Sequence, residues 1–227
     1  MKRVNKKLAA SIILLSQTLT GAAFAASVTL SGTTIDFTFD DAMLGMFGTA
    51  NVSGDTLYFT PTDFVSQSSN GAGYVLTNET INVQVTAHEG YSFSDFDFVE
   101  KGDYLRQGRG SSVNAAGQVR LFDVADPLVE ITSSLVAAPV RQSGASTHNW
   151  LAETSADLSA WNTASTINVT IENLLLASTR APNSLAFVEK KFVGMSFVTT
   201  PVPEAETYAM MLAGLGLIGF VVRRRAA

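Results

Sequence analysis

The stretch Ile167-Asn168-Val169-Thr170-Ile171-Glu172 decides the fold. β-Branched apolar residues occupy every second position with polar ones between them, the period of a strand that buries one face. The same alternation recurs along the chain. Ile35, Phe37 and Phe39 alternate with Asp36, Thr38 and Asp40, and Ile81, Val83 and Val85 alternate with Asn82, Gln84 and Thr86. Val193, Met195 and Phe197 repeat the pattern near the end, and Leu57 with Phe59 and Val119 with Leu121 mark shorter runs. Turn signals fall between them at Ser53-Gly54-Asp55, Ser69-Asn70-Gly71, Glu89-Gly90, Lys101-Gly102-Asp103, Ala116-Gly117 and Pro182-Asn183. Many short strands at this spacing predict an all-β fold, an antiparallel β-sandwich of jelly-roll-like form, with a barrel left open by pattern alone.

Two stretches depart from simple alternation. Tyr91 and Phe93 share one parity and Phe96 and Phe98 the other, which predicts a bulge or kink near Ser94-Asp95. Leu151, Leu158 and Trp161 hint at a helix between Trp150 and Trp161, a segment that reads equally as a long loop over one end of the sandwich.

The formal net charge of −5 conceals an asymmetry. Lys2, Arg3, Lys6 and Lys7 stand at the start, and Arg223, Arg224 and Arg225 at the end. Between them, 8 basic residues face 18 acidic ones from Asp36 to Glu189, a net near −10. Such a body repels nucleic acid and anionic membranes and favours cations or neutral polymers. The chain has no cysteine, which excludes thiol catalysis, Cys-ligated zinc and disulfides while remaining compatible with export.

Met1–Lys7 is a basic segment followed by an apolar, small-residue stretch from Leu8 to Leu19. Ala23 and Ala25 supply the small side chains that a signal peptidase reads, so cleavage is expected before Ala26. At the other end, Pro201-Val202-Pro203-Glu204-Ala205-Glu206 leads into an apolar run. That run holds Ala209, Met210, Met211, Leu212, Leu215, Leu217, Ile218, Phe220, Val221 and Val222. As a helix it would extend about 21 Å, against about 30 Å for a bilayer core, so it predicts a short transmembrane helix. Arg223, Arg224 and Arg225 would hold its far end on the cytoplasmic face.

This tail resembles the PEP-CTERM sorting signal, in which a Pro-Glu-Pro-like motif precedes a Gly-rich hydrophobic helix and a terminal Arg cluster. Pro203 and Glu204 match the first two motif positions, and Ala205 stands where the second Pro is usual. The resemblance covers the last 27 or so residues. It implies an exported protein of a Gram-negative, exopolysaccharide-making bacterium, with signal peptidase and exosortase as processing partners. It further implies transient insertion in the inner membrane before release to the cell surface or extracellular matrix. The expected organisation is a signal peptide over residues 1–25, a β-sandwich body over 26–200 and a sorting tail over 201–227.

No motif in the body announces chemistry. His88 and His148 lie far apart, and no Gly-x-Ser-x-Gly elbow accompanies them. Two histidines without cysteine give no expected metal site. Asp95, Asp97, Glu100 and Asp103 form the densest acidic group. Calcium is the one cofactor they would suit, yet the spacing is not that of an EF-hand, and Asp97 between Phe96 and Phe98 reads as a solvated strand residue. Asp36, Asp40 and Asp41 carry less weight still. Three Asn-x-Ser/Thr sequons, at Asn51, Asn78 and Asn168, read as chance in a Ser/Thr-rich bacterial sequence. Most of the 14 Phe residues fall at inward positions, which leaves Trp150, Trp161, Tyr91 and Tyr104 as the aromatics over, with Trp150 and Trp161 the candidate sugar contacts. The leading expectation is a non-catalytic surface or matrix protein associated with exopolysaccharide. A carbohydrate-binding module is the second reading, and a matrix-sugar hydrolase the third.

Overall fold

The computed structural model describes residues 27–138, 140–202 and 205–226. Among these residues twelve strands precede one α-helix. The first six are β1 (Ser27–Ser31), β2 (Ile35–Asp40), β3 (Thr49–Ser53), β4 (Thr56–Thr60), β5 (Val65–Ser69) and β6 (Gly73–Ala87). The next six are β7 (Tyr91–Gln107), β8 (Ser112–Asp123), β9 (Glu130–Val136), β10 (His148–Asp157), β11 (Thr166–Thr179) and β12 (Leu185–Pro201). The helix α1 runs over Ala205–Ala226.

The strands form two antiparallel sheets in a sandwich-like arrangement. The first has the order β1-β2-β6-β11-β8-β9, and the second β10-β7-β12-β4-β3, with β5 also paired to β12. Alternation explains the layering. Ile167, Val169 and Ile171 are wholly buried, as are Ile81, Val83, Val85, Ile35 and Phe37, while the polar residues between them take the opposite face, where Thr170 is covered and donates to Asn82 Oδ1 at 2.7 Å. Each buried side chain of this size contributes about 1.5–3 kcal/mol of transfer free energy. Aromatic contacts knit the sheets across the interior: Phe37 of β2 meets Phe197 of β12 at 6.2 Å, and Phe39 of β2 meets Phe59 of β4 at 6.3 Å.

The predicted irregularity near Ser94-Asp95 is present. Val198 pairs with Asp95 and Thr199 with Phe93, so Ser94 is left over as a bulge. Parity therefore shifts by one, and both Phe93 and Phe96 turn inward onto Phe197, at 5.6 and 5.1 Å. A second bulge lies on β12, where Lys190 pairs with Gly102 and Phe192 with Lys101, leaving Lys191 over. Before it the even positions Ala186, Val188 and Lys190 are buried; after it the odd positions Val193, Met195 and Phe197 are.

Three local expectations are corrected. The helix hinted between Trp150 and Trp161 is strand β10 followed by a single 3₁₀ turn, Ser159–Trp161, because the cross-strand pairing of His148–Asp157 with β7 satisfies the backbone. Lys101-Gly102-Asp103 and Ala116-Gly117 are not turns. Gly102 lies within β7 and Gly117 within β8, where a missing side chain lets neighbouring groups approach. At the other four signals the chain does reverse.

At one end β5 links the sheets. It pairs with β12 of the second sheet. Its Ser66 and Ser68 hydroxyls donate to the Val75 and Gly73 carbonyls of β6 in the first, at 2.6 and 2.7 Å.

Candidate functional site

The outer face of the second sheet is a grid of side chains fixed by strand register. One row across it carries Ser155, Asp97, Ser196, Thr56 and Ser53, on β10, β7, β12, β4 and β3 in turn. The next carries Glu153, Val99, Gly194, Tyr58 and Asn51. In a third, Leu151 and Lys101 lead to Phe192. Rows two residues apart and strands about 4.8 Å apart make this face roughly 14 Å by 19 Å.

An open groove of about 570 Å³ runs along it, lined by Asp97, Val99, Lys101, Glu153, Phe192 and Gly194 among others. Phe192 stacks on Tyr58 with ring centroids 6.1 Å apart, and the Lys101 ammonium lies 5.6 Å from the Phe192 ring. Gly194 forms the floor, since a Cβ there would meet the Phe192 ring at 2.8 Å. Thr56 donates to the Ser196 hydroxyl at 2.9 Å, which orders the hydroxyl row. The face thus combines an aromatic platform, hydroxyls, one amide, two carboxylates and one ammonium on rigid strands. A second groove of about 630 Å³ shares Lys101 and continues past Asp103, Lys191 and His148.

The residues singled out from sequence distribute differently. Trp150 and Trp161 are 4% and 7% exposed, so neither presents a ring face to a sugar. Trp150 faces inward with Ala152 on β10 and donates its indole N–H to the Glu189 carbonyl at 3.0 Å, and Trp161 closes the 3₁₀ turn into the core. Tyr104 is buried as well, and Tyr91 is exposed. Phe192 takes the outward parity opposite Val193, Met195 and Phe197, a position their alternation does give, but its stacking on Tyr58 of a different hairpin leaves no trace in local sequence.

The acidic group divides by strand parity. Asp95 and Asp97 point outward, Asp103 is half-buried and paired with Lys191, and Glu100 points into the core. Among the described residues, no group of three or more His, Asp or Glu is placed to hold a metal ion. His88 stands 3.1 Å from Asp36, and His148 lies against the Tyr104 ring at 5.6 Å. Hydrogen bonding from His88, with a smaller contribution from Ser31, holds the Asp36 carboxyl below its ordinary value.

Ala205 opens α1, while Pro203 and Glu204, and the signal-cleavage residues Ala23, Ala25 and Ala26, lie outside the described residues. The predicted span Ala209–Val222 falls within α1. Met210, Met211, Leu212, Leu215, Leu217 and Ile218 are exposed on it, as are Arg223 and Arg224. Among the described residues no helix is long and apolar enough to cross a membrane.

Residues 201–225 match the PEP-CTERM protein-sorting motif. The match covers the tail and marks an exported protein sorted by an exosortase. No curated protein matches the chain. Among solved structures, similarity extends to infectious bursal disease virus Gx strain, at 12% identity and a TM-score of 0.31, covering 68% of this chain and 43% of that one. A carbohydrate-binding module from the β-sandwich superfamily aligns at 9% identity and a TM-score of 0.20, covering 73% of this chain and 96% of that one. Scores this low say nothing about function.

Proposed function

We propose that this chain is a non-catalytic surface or extracellular-matrix protein that binds exopolysaccharide on the outer face of its second sheet. The observation that carries the reading is the Phe192–Tyr58 stack set in a row-and-column array of hydroxyl, amide and carboxylate groups. Aromatic faces pack against the C–H faces of sugar rings, and the surrounding polar groups pair with sugar hydroxyls. The open face admits a long polymer from the side, as a closed pocket would not. Its net acidic body favours a neutral or amino-bearing polymer over an anionic one. Before release, α1 engages the inner membrane as a short span, with its exposed apolar residues toward lipid and Arg223, Arg224 and Arg225 at the cytoplasmic side. Signal peptidase and exosortase remove the two ends.

One observation favours a hydrolase. Asp97 and Glu153 share the groove on adjacent strands, and Glu153 pairs with Val99, two residues from Asp97. Diagonal neighbours of this kind lie roughly 7–8 Å apart, within the range two catalytic carboxylates can use. Both acids are exposed on an open sheet, however, where water is not excluded from a bond under attack.

Affinity electrophoresis through gels containing the host's exopolysaccharide separates these readings. Retardation without release of reducing ends is expected, and F192A should weaken retention by about tenfold. Polymer cleavage that disappears in D97N or E153Q would instead establish the hydrolase.

A further inference from the structure

Three polar side chains meet in the space between the sheets. Glu100 on β7, Asn173 on β11 and Lys190 on β12 are 1%, 2% and 3% exposed. Lys190 Nζ lies 2.6 Å from Glu100 Oε1 and donates a hydrogen bond to Asn173 Oδ1. The Asn173 amide nitrogen has no hydrogen-bond partner among the described residues. Glu100 Oε1 is close to the ammonium, yet outside hydrogen-bond alignment. The rings of Phe64 and Trp150 flank Lys190 Nζ at 5.1 and 5.8 Å.

The backbone is shaped around this cluster. Lys190 shares the inward parity of Ala186 and Val188, and the bulge at Lys191 follows it directly. The cross-strand partner of Lys190 on β7 is Gly102, and the partner of Asn173 on β8 is Gly117, with Glu79 opposite it on β6. A Cβ on Gly102 would meet the Trp150 indole nitrogen at 2.6 Å, and one on Gly117 would meet Asn173 Oδ1 at 3.3 Å. Both reactive side chains therefore sit opposite glycines.

As a means of stability alone the cluster is poor, because desolvating an ion pair commonly costs more than its attraction returns. Its chemistry is more distinctive. Burial raises the Glu100 carboxyl above its ordinary value despite Lys190 nearby. Burial likewise lowers the Lys190 amine to about 8, against the opposing effect of Glu100. Both shifts favour the neutral forms, a carboxylic acid beside a free amine. A free amine in contact with an amide, with an acid alongside, is equipped for acyl transfer.

We propose that Lys190 and Asn173 join in an intramolecular isopeptide bond, with Glu100 carrying the protons. Lys190 first passes a proton to Glu100, which frees the Nζ lone pair. Nζ then attacks Asn173 Cγ, the new C–N bond forms, and the carbonyl electron pair moves onto Oδ1, stabilised by the Glu100 proton. As the adduct collapses, the Cγ–Nδ2 bond breaks. Nδ2 leaves as ammonia with the proton relayed from Nζ through Glu100. Amine and primary amide give secondary amide and ammonia, so no oxidant or other co-reactant is required. Burial excludes the water that would hydrolyse the adduct. The product is a covalent link between β11, inside the first sheet, and β12, inside the second, in a chain without cysteine.

The test is mass spectrometry of the full chain purified in denaturant, with a peptide map to define its ends. The expected mass is about 17 Da below that of the sequence between those ends, the loss of one ammonia. The map should contain a branched peptide joining Lys190 to Asn173, and Lys190 should resist acylation in denaturant while Lys101 and Lys191 react. E100A should restore the full mass and an acylable Lys190. Folded wild-type protein with the unreduced mass and an acylated Lys190 would overturn the proposal, as would an ammonia loss mapped elsewhere. The wild-type measurement decides even if E100A does not fold.

Discussion

Phe192 on β12 and Tyr58 on β4 lie face to face, with planes 17° from parallel, because Gly194 leaves the floor beside them bare. In G194A the new methyl would press on the rim of the Phe192 ring, the movable end of a side chain and not backbone. Loss of thermal stability should then be small, about 1 kcal/mol or less, while polymer retention falls as the ring leaves its stack. Comparing Tm with gel retardation for this variant checks whether the platform, and not the sheet as a whole, makes the contact.

Asp55 should prove the most costly surface-proximal residue to remove. It occupies the β3–β4 turn and accepts hydrogen bonds from the backbone N–H of Thr33 and Thr34, both at 2.8 Å, and from the Thr34 hydroxyl at 2.7 Å. Thr34 in turn bonds Thr199 of β12 at 2.7 Å, so one carboxylate secures the β1–β2 connection of the first sheet to the second. D55A leaves those donors unpaired and should destabilise the fold by roughly 2–4 kcal/mol, with D55N costing less because it keeps an acceptor. Urea unfolding followed by tryptophan fluorescence measures both.

Strong acid should weaken the β1–β2 edge at Asp36. Its carboxyl is held below the ordinary 3.8 by hydrogen bonding from His88, then Ser31. A depressed carboxylate contributes stability that is fully present above the unfolded value and is lost as pH falls from there through the folded one. The groups are about one-third exposed, so the contribution is at most about 1 kcal/mol. D36N should lower stability at pH 6 but not at pH 2.5, which denaturant titrations at the two pH values would show.

Much of this molecule was legible in its alternation. Ile167, Val169 and Ile171, and the equivalent sets on β2, β6 and β12, are buried as the period of two requires, and the parity change between Phe93 and Phe96 located a real bulge. Glu100, grouped by sequence with the solvated acids, is instead buried; its shared parity with Phe96 and Phe98, like that of Asn173 with Ile171 and Leu175, is the signal that could have shown it. That Lys190 joins them depends on the two sheets facing one another, which no local window contains. Gly102 and Gly117 misled for a related reason: a glycine opposite a crowded side chain and a glycine in a turn look alike in sequence. Trp150 and Trp161 misled because isolated large aromatics do not reveal their burial without the register of β10.

In the proposed function, export is followed by removal of the sorting tail, which frees the sandwich to meet polymer outside the cell. Intact-mass analysis of the protein recovered from its native host's envelope and culture medium tests this most directly. The predicted species begins at Ala26 and ends near Pro203, and it occurs at the surface or in the medium. A species that keeps α1 through Ala227 and stays with the inner membrane would contradict it, leaving a tethered periplasm-facing domain in place of a matrix protein.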